Sequence, residues 1–133
     1  MKVQKILFGA AILVGAALGP AAAQQQQPQF PDMTFFVTSK PGPDGANLGG
    51  LEGADKHCQT LATAAGAGAR TWKAYLSTQG AGAVNARDRI GKGPWKNAKG
   101  VQIAANLEEL HKDAKLSIDN SLTERGTKVA GAG

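Results

Sequence analysis

The chain has 133 residues, a formal net charge of +5, 42% hydrophobic residues but only 5% aromatic ones, and one cysteine. That length leaves room for one domain and excludes a multidomain plan. Abundant glycine and alanine leave modest apolar surface to bury, so a domain of this size without a disulfide or metal stands near the lower limit of independent stability.

Lys2 and Lys5 precede an apolar run over 6–18, and Ala21, Ala22 and Ala23 offer the small residues of a cleavage site. Residues 1–23 therefore read as a cleaved signal peptide, and the protein as exported to the periplasm or beyond the cell. The run falls short of the roughly 20 apolar residues that span a bilayer, so no transmembrane segment is expected after cleavage. The remaining 110 residues carry a formal charge of +3. Such a charge on an exported chain argues against a nucleic-acid partner. A lone cysteine in an oxidising compartment implies a partner elsewhere or a reactive thiol, which leaves a Cys58-linked dimer open.

Residues 24–32 are mostly glutamine and proline, a composition that cannot offset its ordering entropy, and are expected to form a disordered tether. Order is expected from Met33. Residues 34–38 are β-branched and aromatic and stop at the Lys40-Pro41-Gly42-Pro43-Asp44-Gly45 turn cluster, so they predict a strand and a loop. Leu51, Ala54, Cys58, Leu61, Ala62 and Ala65 recur at spacings of three and four, which predicts an amphipathic helix over 50–65 with Cys58 on its core face. Glu52, Asp55, Lys56 and Gln59 fall mostly on its opposite side.

Trp72, Ala74 and Leu76 alternate with Lys73, Tyr75 and Ser77, the period of a half-buried strand. Residues 85–97 show no periodicity and contain Gly91, Gly93 and Pro94, which predicts an ordered loop holding Trp95. Residues 100–104 predict a short strand with Val101 and Ile103 on one side. Asn106 and Glu109 have capping-box spacing, which predicts a short helix through Leu107 and Leu110. The ordered domain is thus expected over 33–118, with a flexible tail over 119–133.

Four stretches in this order carry a further signal: Phe35-Phe36-Val37-Thr38-Ser39; Asn47-Leu48-Gly49-Gly50-Leu51-Glu52-Gly53-Ala54-Asp55 through Cys58; Thr71-Trp72-Lys73-Ala74-Tyr75-Leu76-Ser77; and Asn85-Ala86-Arg87-Asp88-Arg89-Ile90-Gly91 with Gly93-Pro94-Trp95. Together they resemble a family of exported bacterial lectin-like proteins related to the C-type-lectin and endostatin-like fold. The resemblance runs from about Met33 to Gly126 and covers the N-terminal half of that family's domain. It implies an α+β fold, C-type-lectin-like in part, with one main amphipathic helix packed on a small antiparallel sheet plus a short second helix. It also implies that the disulfide partner of Cys58, the ligand loops and their calcium residues belong to the half not represented here. A truncated product and a natural short form both fit.

The function expected is non-catalytic binding of carbohydrate, such as a glycan or surface polysaccharide, or of another surface ligand. The alternative is a structural or adhesive module, or a remnant without independent binding. For contact with a glycan, Trp95 with Lys92, Lys96 and Lys99 is the local candidate, since an exposed indole stacks on sugar faces and lysines meet anionic groups. Against it stands the usual burial of tryptophan, which would make Trp95 a core plug. Arg87, Asp88 and Arg89 read as a loop-pinning charge cluster. His57, His111 and Cys58 lack metal-site spacing, so no metal or cofactor is expected. No nucleophile elbow, phosphate loop or cysteine–histidine pair suggests an enzyme.

Overall fold

A computed structural model describes residues 29–129, so the expected signal peptide at 1–23, the start of the tether and the end of the tail lie outside the described residues. The described part is a small α+β arrangement of three helices, α1 (Gly50–Ala64), α2 (Ala86–Arg89) and α3 (Leu107–Lys112), and two short strands, β1 (Trp95–Lys96) and β2 (Gln102–Ala104). No helix among the described residues is long and apolar enough to cross a membrane.

Helix α1 follows the expected bounds to within a residue, and its ends explain why. Gly66 adopts φ +82°. Its N–H donates to the Thr63 carbonyl at 3.1 Å while Ala67 N–H donates to the Ala62 carbonyl at 2.8 Å. This is a Schellman closure, in which the left-handed residue is cheapest as glycine. Within the first turn, a Cβ at Gly53 would collide with the Leu48 carbonyl oxygen, so glycine there lets the preceding loop lie against the helix.

The buried face of α1 meets a first cluster of Met33, Ala62, Ala67, Trp72, Ala98 and Leu122, with Phe30, Phe36 and Cys58 packed at its margin. Trp95, Ile103 and Ala104 form a second cluster with Phe35, Ile90, Leu107 and Leu110 against it. Strands β1 and β2 pair antiparallel, Trp95 opposite Ala104 and Lys96 opposite Gln102, with an irregularity between. Helix α3, rather than α1, packs on this hairpin. The expectation of a main helix lying on the sheet is corrected accordingly: α1 lies on segments that form no sheet among the described residues.

Those segments are 34–38 and 71–77, both expected as strands. The first makes a single parallel bridge, Val37 to Thr123. The second has the expected alternation only as far as Tyr75, with Trp72 and Ala74 buried and Lys73 and Tyr75 exposed. Leu76, expected on the covered face, is 40% exposed because its N–H folds back on the Ala74 carbonyl at 3.0 Å. The segment joins no ladder among the described residues. Alternation reports which face is covered and carries no information about a hydrogen-bonding neighbour. In the stretch expected as a loop, Ala86–Arg89 form the one-turn helix α2 and Trp95–Lys96 form β1. Val101 is 48% exposed and does not share the buried side of Ile103.

Asn106 caps α3 as its spacing predicts. Its Oδ1 accepts from Glu109 N–H at 2.9 Å, and Glu109 Oε2 reaches back to Ala105 N–H at 2.8 Å. Order also extends beyond the expected domain at both ends. Gln29 N–H donates to the Gly66 carbonyl, and Phe30 packs on the first cluster. In the stretch expected as a flexible tail, Leu122, Thr123 and Glu124 are buried. Glu124 accepts from Ser39 N–H at 3.0 Å and from the Ser39 hydroxyl, which anchors this segment to the 34–38 segment.

Candidate functional site

The side chains of α1 replace a missing strand. Gln59 Oε1 accepts from Trp72 N–H at 3.0 Å, and Asp55 Oδ1 accepts from Ala74 N–H at 2.7 Å. Residues 55 and 59 stand one turn apart, about 6 Å along the helix axis. Alternate residues of an extended chain repeat every ~6.6 Å, so the two spacings match. Arg89 then bonds Asp55 Oδ2 at 2.5 Å through one nitrogen and the Ala74 carbonyl at 2.7 Å through another. The peptide groups of Ala74 are held on both counts, N–H by Asp55 and C=O by Arg89. Of the polar residues assigned to the outer side of α1, Asp55 and Gln59 instead face this segment.

With that edge bound to α1, the opposite edge stays open. A groove of about 890 Å³ runs between residues 34–38 and 71–76. Phe35, Phe36, Trp72, Ile103 and Leu110 contribute to its apolar lining, and Leu76 and Leu116 extend it toward solvent. Phe36 and Trp72 meet edge to face, ring centroids 4.8 Å apart, and tie the two walls at depth. The Trp72 indole N–H is spent on the Ala67 carbonyl at 2.8 Å, so the ring is fixed from behind.

Among the described residues the charged groups lining the groove are Lys40, Lys73 and Arg89, and no carboxylate lines it. Arg89 is committed to Asp55, whereas Lys40 and Lys73 make no ion pair among the described residues. His57 also lines it, with Nε2 3.0 Å from the Lys40 carbonyl. A carbonyl can only accept, so this nitrogen carries the proton. Cys58 is half-buried there, and burial, followed by the nearby Asp55 charge, pushes its thiol above the ordinary value of 9.0. The thiol is accordingly held neutral and weakly nucleophilic.

The candidates named from sequence do not form one cluster. Trp95 is 6% exposed and belongs to the second core cluster, so its indole is chiefly packing. Lys92 and Lys99 are exposed, while Lys96 is half-buried on β1 with its carbonyl accepting from Thr34 N–H at 2.8 Å. Arg87 and Asp88 are exposed on α2, apart from the buried bonds of Arg89. Among the described residues no three His, Cys, Asp or Glu side chains converge as a metal site.

Sequence reasoning missed Asp55, Gln59 and Lys73 as the residues that shape the groove. The available signal was the pair of hydrogen-bonding side chains at i and i+4 opposite an alternating segment. Set against known proteins, the chain matches no family model, no curated protein and no solved structure.

Proposed function

We propose that this chain is an exported, non-catalytic binding module of the lectin-like kind, and that the groove between residues 34–38 and 71–76 is its contact face. The groove carries the reading. It is open, mostly apolar, and rimmed by cationic groups that would select anionic ligands. Its titratable groups are poorly suited to catalysis, since the Cys58 thiol is held neutral and His57 is tied to a backbone carbonyl. The order of main helix, extended 71–77 segment and Trp95 hairpin supports the partial C-type-lectin-like fold, and that resemblance supports a carbohydrate or other surface ligand.

The test is titration of the isotopically labelled chain with polygalacturonate, an anionic polysaccharide, followed by amide chemical shifts. Perturbation centred on Lys73, Tyr75 and Leu116 is expected. Perturbation confined to Lys92, Lys96 and Lys99 would move the contact face away from the groove and overturn the proposal.

A further inference from the structure

We propose that the groove is a strand-acceptor site, taking an extended apolar polypeptide segment that bears carboxylates and pairing its backbone with residues 36–38 on one wall and 73–75 on the other. The inference rests on the groove being the binding face, and it names the ligand class.

Backbone accounting carries it. On the first wall, Phe35 N–H donates to the Lys96 carbonyl at 3.2 Å and Val37 N–H to the Leu122 carbonyl at 2.9 Å. Thr34 and Phe35 share the Lys96 carbonyl, but from Phe35 to Val37 the inward bonds fall on alternate residues as in an extended chain, so the backbone groups of Phe36 and Thr38 face the other way. Neither residue's N–H or C=O finds a partner among the described residues. On the second wall, the N–H groups of Trp72 and Ala74 are taken by α1, and those of Lys73 and Tyr75, with their carbonyls, are likewise unpartnered among the described residues. Leu76 N–H donates to the Ala74 carbonyl at 3.0 Å and bends the chain at Tyr75, where the edge ends. Two edges with free donors and acceptors flank one apolar groove.

Unpaired edges are templates for another strand, and main-chain pairing with pockets for alternate side chains is how strand addition works. An aliphatic lipid would fill the apolar floor but leave every one of those donors and acceptors unmet. Charge then selects among polypeptides. Among the described residues Lys40 and Lys73 at the groove have no carboxylate beside them in its lining. A second copy of this chain would bring the same positive wall against itself, whereas a segment with acidic side chains complements it.

The experiment uses the full chain and an acetylated, amidated octapeptide of alternating valine and glutamate. Amide hydrogen exchange and alkylation of Cys58, which lines the groove, are both followed. The peptide is expected to slow exchange at Phe36, Thr38, Lys73 and Tyr75 by about tenfold or more and to slow alkylation. The same peptide with N-methylated valines is expected to do neither, and Lys73→Glu is expected to weaken the first peptide by about tenfold. Equal effects of the two peptides, or unchanged exchange at all four amides, would overturn the inference. If dodecanoate or polygalacturonate protects Cys58 while the peptide leaves the four amides unchanged, strand pairing is wrong and the groove still binds. If none of these ligands alters alkylation, the groove reading falls as well.

Discussion

Asp55 and Arg89 clasp one residue between them: Asp55 takes the N–H of Ala74, Arg89 gives to its C=O, and the two side chains meet at 2.5 Å. Three segments distant in sequence are joined through one alanine. Asp55→Ala should destabilise the chain by about 2–3 kcal/mol, since it removes a charge-assisted bond and strands a guanidinium that is mostly buried. Asp55→Asn keeps the acceptor for Ala74 and should cost less. Denaturant unfolding of both variants with Arg89→Ala in a double-mutant cycle checks this, and a coupling near zero would contradict the clasp.

Gly66→Ala should cost about 1–2 kcal/mol, because φ +82° places a Cβ in the unfavourable left-handed region. Gly53→Ala should cost more, as its Cβ meets backbone at the Leu48 carbonyl rather than a side chain that can move away. Thermal melts of the two variants give the order.

Loss of the α3 cap is a smaller effect. Asn106→Ala should destabilise by about 1 kcal/mol through the bond to Glu109 N–H. Asn106→Ser should recover most of it, which separates capping from packing.

Cys58 makes stability depend on alkaline pH. Its folded thiol titrates above the ordinary value of 9.0, so the folded state resists losing that proton. The contribution is complete below that value and is lost as pH rises through the folded titration. Melting temperature should therefore fall above about pH 9 in the native chain, and by less in Cys58→Ala. At neutral pH the same neutral thiol should oxidise slowly, so adding reductant should leave the melting curve of freshly purified chain unchanged. A melt that weakens on reduction would indicate a Cys58-linked dimer instead.

Much of α1 and all of the α3 cap were legible in the sequence, because both depend on local signals: apolar spacing, Gly66 at the end, and Asn106 three residues before Glu109. The partners of the extended segments were not. Trp72 and Ala74 advertise a covered face, but their N–H groups go to Gln59 and Asp55, whose polarity suggested solvent. The 119–129 stretch looked polar and unstructured for a related reason. Glu124 is fully buried, and the distant Ser39 that donates to it, with the Arg125 guanidinium 3.8 Å away, offsets the cost of that burial. Trp95 was legible as a residue of consequence, while its choice between stacking surface and core plug turned on Ile103 and Ala104 across the hairpin.

Among the described residues, seven of the twelve buried apolar side chains are alanines: Ala54, Ala62, Ala67, Ala74, Ala86, Ala98 and Ala104. Alanine lets backbones approach closely but exposes little hydrocarbon when the chain opens. The heat-capacity increment of unfolding scales with that newly wetted apolar area. A chain built this way gains a shallow stability curve, and its fold should weaken less on cooling than that of a domain of equal length built on leucine and phenylalanine.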